Sequence, residues 1–399
     1  RHEADLGIAL IELLAYVGDR LSYYQDAVAN EAYLETARRR ISVRRHARLV
    51  DYRMHDGASA RAFVHLSLEG IDHRTLPAGT KIISRIDSPL GLMMPPHAPV
   101  IPKKLENEAI EAADVVFETI KEAQLHPSLN EIEIYTWKNQ QCCLPRGTTT
   151  LDIVGDLIAD SSDTKTWGLK KGEYLLFEEI KGVETGLPED ADPNHRQVVR
   201  LTSVEKISDP INESENIDIT RITWDALDAL TFPLCVSAEL TEGWRKGEYE
   251  DNISIACGNL VLADHGRSVI EFHPSASNDP EAPGIHTDQR AYRFRLSQGP
   301  MSFRIPLPDN NCQQIPAKSL FMADPRQAEA QVSVMTSSDG VDWEHGKYTL
   351  VPDLLGSSRS DLHFVLETDN DGRGLIRFGD GIYGMQPPDG SKIKILYRV

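Results

Sequence analysis

The stretch DLGIALIELLAYVGDRLSYYQDAVANEAYLETA, residues 5–37, decides the N-terminal part of the fold. Its apolar residues recur at alternating intervals of four and three, the heptad spacing of a helix that lies along another helix. This seam consists of Leu10, Leu14, Val17, Leu21, Tyr24 and Val28. About 30 helical residues at roughly 1.5 Å each predict a rod of about 45 Å, with Asp5 as its N-cap. Such a rod needs a partner, either the helix that follows or another chain.

Residues 38–53, RRRISVRRHARLVDYR, contain seven arginines in sixteen positions. Val43, Ala47 and Val50 have helical spacing and predict a second helix that returns along the first. The arginines have two interpretations: a solvated face whose side-chain stems cover apolar surface, or a docking patch for an acidic neighbour, for example another copy of this chain. The candidate patch residues are Arg38, Arg39, Arg40, Arg44, Arg45 and Arg48.

Length and amino-acid composition restrict the class of protein to which this chain can belong. The 399 residues suffice for two or three domains, and 40% apolar content is ordinary for a globular protein. The net charge of −19 argues against nucleic acid as the main partner. No apolar run is long enough to predict a membrane span. Five cysteines without a C-x-x-C pair predict neither a disulfide framework nor a zinc ribbon, and favour synthesis in a reducing cytoplasm. We expect the chain, which begins with Arg1, to be a piece of a longer protein.

From Ala58 onward the apolar period changes from that of a helix to two, the period of a strand. Short strands separated by turn signals continue to the end of the chain, which is typical of sandwiches and small barrels. The predicted strands include residues 132–137, 253–263, 363–367, 374–378 and 393–398. The expected class is therefore α+β. We expect a helical hairpin at residues 1–57, an outer β-rich domain built from 58–125 and 268–399, and an inserted small β-barrel or sandwich at 126–267.

One stretch of the sequence partly resembles a calcium-binding loop. Asp369, Asp371 and Asp380 partly match the spacing of calcium ligands, but Arg373 occupies a ligand position. We therefore favour a tight β-turn and predict no metal site and no cofactor.

Catalytic motifs are absent from the sequence: it has no G-x-S-x-G elbow, no phosphate-binding loop and no H-E-x-x-H helix. The adjacent Glu178 and Glu179 would face opposite sides of a strand, so they could not act on one substrate. Asp264-His265 is predicted to be a polar strand end, and Cys142-Cys143 a strand-edge pair. No catalytic residue is predicted.

Several stretches together resemble the baseplate assembly proteins of contractile phage tails and phage-tail-like injection systems. The string D-x-G-x-A-L-x-E-L-x-A-x-x-G-D-x-L-x-Y-Y-Q-D-x-x-A-N-E-A-Y-L-x-T-A is the most specific part of this resemblance. It continues in RISVRRHARLVDY (40–52), LPAGT (76–80), GLKKGEYLLFEE (168–179), HRQVVRLTSV (195–204), FPLCVSA (232–238), GNLVLADHG (258–266) and residues 361–399.

The resemblance implies a structural, non-enzymatic wedge component related to the J-type proteins, repeated around a six-fold hub. It also implies partners: other wedge subunits, identical or paralogous, and hub, spike and sheath-proximal proteins. The protein would be made in the cytoplasm, incorporated into a phage-tail-like particle, and link baseplate rearrangement to sheath contraction. Two other classes stay open: a tail-side adhesin that binds glycans, and a hydrolase of cell-wall glycan, which would need two carboxylates about 5–9.5 Å apart.

Overall fold

The structure, a computed structural model, describes residues 6–84, 100–159, 167–209, 217–274, 292–307, 315–322, 324–343 and 346–399. The expected N-cap, Asp5, lies outside these residues. The α-helices are α1 (Leu6–Glu31), α2 (Arg40–Arg48) and α3 (Glu106–Ala112). Strands account for most of the regular structure after α2, so the predicted α+β class is confirmed.

The chain divides into two compact units. The first comprises Arg1–Ala58, Ser268–Ile305 and Pro325–Val399, and the second comprises Ser59–Arg267 and Pro306–Asp324. Residues 59–125 thus lie with the segment that we expected to be an inserted domain. The reason is a ladder of backbone hydrogen bonds that joins residues 61–65 to residues 260–265, a pairing that strand spacing does not reveal.

The second unit is built from antiparallel sheets. Its strands are β1 (Arg61–His65), β2 (Arg74–Leu76), β3 (Lys81–Ile83), β4 (Val116–Thr119), β5 (Ala123–Leu125), β6 (Cys142–Leu144), β7 (Thr150–Val154), β8 (Tyr174–Glu179), β9 (Arg196–Ile207), β10 (Ile219–Trp224), β11 (Leu234–Glu239), β12 (Tyr249–Glu250), β13 (Ser254–Cys257) and β14 (Leu260–His265). They pair in the orders β1-β14-β4-β3, β13-β8-β9-β10-β7, β12-β11-β6 and β2-β5. Alternate residues of β8 and β9, such as Leu175, Phe177, Val199 and Leu201, enter one core.

A disulfide joins the two neighbouring strands β6 and β11 of this unit. Cys143 and Cys235 are direct cross-strand partners and form the bond across 92 residues of sequence. The vicinal pair lies on an edge strand, as predicted. The disulfide of Cys143 was not expected from the number and spacing of the cysteines, because its two halves are distant in sequence. Cys257 is a buried free thiol, and burial raises its pKa to about 12.

The first unit contains α1, α2 and a seven-stranded sheet. Its strands are β15 (Ser268–Pro274), β16 (Arg293–Arg295), β17 (Phe303–Arg304), β18 (Glu329–Ala330), β19 (Val332–Ser337), β20 (Lys347–Leu350), β21 (His363–Thr368), β22 (Gly374–Phe378) and β23 (Lys392–Arg398). The large sheet has the order β15-β23-β19-β20-β21-β22-β16, and β17 pairs with β18. The β20–β21 pairing is parallel, and the other pairings are antiparallel.

One face of the seven-stranded sheet carries an aromatic core. The ring of Phe378 lies 4.9 Å from that of Tyr348, 5.8 Å from that of Tyr292 and 6.0 Å from that of Phe294, between centroids. Side chains alternate along each strand, so the intervening residues of β21, β22 and β16 occupy the other face. These include Glu367, Arg377 and Arg293, and α2 contacts this sheet through β21.

Candidate assembly interface

Helix α1 exposes its entire apolar seam. None of its 26 residues is buried. The exposed fraction of the six seam residues ranges from 45% at Val17 to 70% at Leu14 and Val28. The second helix was predicted to return along α1, but within the described residues it leaves the seam uncovered. Contiguous exposed apolar surfaces are typical of sites that bind proteins, membranes or ligands, and the role of this seam as a partner interface stays a prediction.

The helix ends at Glu31, about one and a half turns before the predicted end at Ala37. The Glu31 carboxylate accepts hydrogen bonds from the backbone N–H groups of Arg38 (3.0 Å) and Arg39 (3.2 Å). The Thr36 hydroxyl donates to the backbone carbonyl of Asn30 at 2.6 Å. These bonds satisfy groups at the helix end and turn the chain towards α2.

A second apolar stripe runs beside the seam and was missed in the sequence. It consists of Leu6, Leu13, Tyr16 and Tyr23, each at least 57% exposed. At about 100° per residue, these positions lie about 90° around the helix from the seam. Their intervals of seven and three are themselves a heptad signal, which could have revealed them. Glu12, Asp19 and Asp26 repeat every seven residues and lie opposite the seam.

Two arginines of α2 converge on one carboxylate. Asp56 accepts hydrogen bonds from Arg40 Nε at 2.9 Å and from Arg44 at 2.5 and 2.6 Å. The Thr368 hydroxyl donates to the same carboxylate at 2.8 Å. The side chains of Asp56 and Arg44 are only 11% and 16% exposed. This partly buried cluster attaches α2 to the end of β21.

The other arginines of α2 are also held within the first unit. Arg45 pairs with Glu367 at 3.1 Å, and Arg48 pairs with Asp353 at 2.7 Å. By contrast, Arg38 and Arg39 form no side-chain ion pair among the described residues. The arginines on the helix therefore anchor it, and their role in docking a partner stays a prediction.

The calcium-like turn between β21 and β22 is occupied by an arginine. Arg295 donates to Asp369 from Nε and to Asp371 from its terminal nitrogen, both at 2.7 Å. The other oxygen of Asp369 accepts from the backbone N–H groups of Asp371 and Arg373, at 2.9 and 2.8 Å. These contacts support the β-turn interpretation. The described residues contain no group of three or more metal-binding side chains.

The same turn holds the start of α2. Asn370 accepts a hydrogen bond from the backbone N–H of Arg40 at 2.7 Å, and its amide donates to the carbonyl of Arg38 at 3.2 Å. It thereby satisfies an N–H of the first helical turn, which has no partner inside the helix. A side chain 330 residues away in sequence thus caps α2.

The paired glutamates of β8 have separate partners. Glu178 forms an ion pair with Arg196 at 3.0 Å, whereas Glu179 lies 2.6 Å from Nδ1 of His195. They face opposite sides of the strand, as the sequence predicts.

The comparison with known families concerns the helical segment. Residues 1–49 match the N-terminal domain of the bacteriophage baseplate protein family. The match contains α1 and α2, and it does not extend to the later stretches that resemble baseplate proteins. No curated protein and no solved structure matches the chain.

The matched family implies a structural role, interaction with other baseplate proteins and incorporation into a phage particle. None of the described helices combines the length and the apolar character needed to cross a bilayer. The N-terminal match and the exposed heptad helix that it contains support a bacteriophage baseplate protein.

Proposed function

We propose that this chain is a wedge component of the baseplate of a contractile injection system. In this proposal, the seam of α1 packs against helices of neighbouring wedge subunits, either further copies or a paralogue. The β-rich units face the hub, the spike and the sheath-proximal proteins, and rearrangement of the wedge leads to sheath contraction. The observation that carries the proposal is a 26-residue heptad helix with no buried residue.

The energetics favour a helix–helix contact at this seam. Burial of one leucine or valine side chain contributes roughly 1.5–3 kcal/mol. Six such positions, together with the second stripe, can offset the cost of association, which is about 4–15 kcal/mol. Two adjacent stripes also allow α1 to contact helices on two sides. Most of the stability of helices in proteins comes from packing of their apolar face, so burial of the seam in the assembled state would add to the stability of α1.

Charge placed in the seam tests the proposal. Replacement of Leu14, Val17 and Leu21 by Asp would bury unpaired carboxylates in the contact, at a cost of several kcal/mol. We expect particles that carry this variant to lack sheathed tails in electron micrographs. The matched control is Ala15→Asp, Ser22→Asp and Ala29→Asp, which adds the same charge to exposed positions away from the seam. Normal particles with the seam variant would contradict the proposal.

A further inference from the structure

Two arginines lie directly opposite each other on the face of the large sheet that does not carry the aromatic core. Arg293 of β16 and Arg377 of β22 are cross-strand partners. Like charges in this position destabilise a sheet. The Nε atoms of both are buried and have no hydrogen-bond partner, and neither side chain forms an ion pair among the described residues. Placing two like charges opposite each other in a sheet, without an ion pair for either, is typical of a functional site.

The surroundings of this pair add positive charge. Burial lowers the pKa of Arg377, and the positive charges of Arg293, Arg45 and Arg48 lower it further. The nearby carboxylate of Glu367 acts in the opposite direction and raises this pKa. The carboxylates of Glu367 and Asp353 are already paired with Arg45 and Arg48. Glu367 therefore compensates this positive charge only in part, since its carboxylate is shared with Arg45. Neither Arg293 nor Arg377 has an ion pair of its own among the described residues.

We propose that Arg293 and Arg377, flanked by Arg45 and Arg48, form a receptor for an acidic segment of a second protein chain. Two carboxylates of that segment would neutralise Arg293 and Arg377, since guanidinium groups bind carboxylates through paired hydrogen bonds. A protein segment fits better than nucleic acid, because the acidic surface would repel a long polyanion outside this small cluster. The inference rests on the proposed assembly function and names the partner chemistry of a surface separate from the α1 seam.

The test measures binding of a fluorescein-labelled hexaglutamate peptide to the full chain by fluorescence polarisation, at an ionic strength of about 0.15 M, where the Debye length is about 8 Å. The variant Arg293→Gln, Arg377→Gln should weaken binding by about tenfold or more, because each lost charge-assisted contact contributes more than a neutral one. The control variant Arg146→Gln, Arg359→Gln changes the net charge equally at exposed positions. It should bind within about twofold of the unsubstituted chain, since exposed charges outside the cluster are screened.

Thermal unfolding separates binding from a merely structural role. Removal of the opposed charges should raise the unfolding temperature of the double variant while binding is lost, since the repulsion is relieved. Arg293→Glu places an acid opposite Arg377 and should likewise raise that temperature and abolish binding. A lower unfolding temperature for both variants would indicate a structural role and overturn the proposal. Absence of peptide binding to the unsubstituted chain would also overturn it, as would tighter binding of a DNA oligonucleotide of equal charge.

These outcomes are distinct from those of the seam test. The peptide assay uses the isolated chain, so failure of the receptor proposal leaves the seam result unaffected. If the seam variant assembles normally but hexaglutamate binds at the arginines, the wedge proposal fails while the receptor remains.

Discussion

Removal of the Asp56 carboxylate is the sharpest test of how α2 is attached. In the variant Asp56→Ala, Arg40 and Arg44 lose their shared acceptor, and Thr368 loses the acceptor of its hydroxyl. The guanidinium of Arg44 then remains mostly buried without a counter-charge.

The magnitude follows from the burial of the pair. Breaking a fully buried ion pair by removal of one partner costs about 3–5 kcal/mol. The 11% and 16% exposure of the two side chains lets water recover part of this cost. Loss of the Thr368 hydrogen bond adds about 1 kcal/mol. We therefore expect a loss of about 3 kcal/mol of unfolding free energy.

Urea denaturation followed by circular dichroism measures this change, and hydrogen exchange in peptides that contain α2 and β21 locates it in the first unit. The control is Asp353→Ala, which removes the acceptor of Arg48 from a pair whose side chains are 37% and 34% exposed. Such a pair contributes about 0–1 kcal/mol. An Asp56→Ala effect no larger than that of the control would refute the reasoning. In a double-mutant cycle, Arg44→Ala added to Asp56→Ala should recover part of the loss, because it removes the buried guanidinium that Asp56→Ala leaves unpaired.

Three further predictions concern the core and loops of the first unit. Phe378→Ala should cost about 3–5 kcal/mol in urea denaturation, because it empties the centre of the aromatic core, whereas the exposed Phe272→Ala should cost less than about 1 kcal/mol. Gly346→Ala should lower the unfolding free energy by about 3 kcal/mol, since a Cβ there would overlap the carbonyl oxygen of Thr336. The control is Gly356→Ala, because a Cβ at that position would have no neighbouring atom within 4 Å. The third prediction concerns stability in acid. The pKa of Asp339 is lowered from 3.8 to about 2 by hydrogen bonds from the backbone N–H of Val341, the Ser337 hydroxyl and the backbone N–H of Asp342. The stabilisation by Asp339 is therefore present above about pH 4 and lost as the pH falls towards 2. Asp339→Asn should remove this pH dependence, and an unchanged unfolding profile between these pH values would contradict the assignment.

The features that were predictable from sequence are those with a local periodic signal. The heptad of α1 and the alternation in β21, β22 and β23 each depend on neighbouring residues, and those elements lie close to their predicted positions. The predicted strand at residues 132–137 forms only isolated bridges at Ile132 and Ile134. Trp137 and Lys138 adopt positive φ values of 55° and 61°, which end any extended run.

The predicted strand at residues 253–263 is two strands, β13 and β14. Asn259 between them has a φ of 50°, and its side chain donates to the carbonyl of His126. The strands β7, β11 and β20 were missed. In β7 three successive residues, Leu151, Asp152 and Ile153, are buried, so its sequence lacks a clear period of two.

Long-range contacts explain the rest of what was missed. Three bond partners of α2 lie more than 300 residues away, at Asn370, Glu367 and Asp353. Cys143 and Cys235 are 92 residues apart. A single sequence gives no sign of such pairings, so the arginines of α2 could be recognised as a charged cluster but not as an anchor for the helix.

The uncovered helix α1 has a consequence for how the particle controls its own composition. Before it meets a partner, a subunit presents a helix with no buried residue, and segments with few buried contacts open most readily to water. Intracellular proteases cleave such segments in proportion to the time they spend open. Subunits made in excess of their partners would therefore be degraded, while incorporated copies persist. If the proposed seam contact forms, this exposed helix would adjust the supply of the present chain to the stoichiometry of the finished assembly.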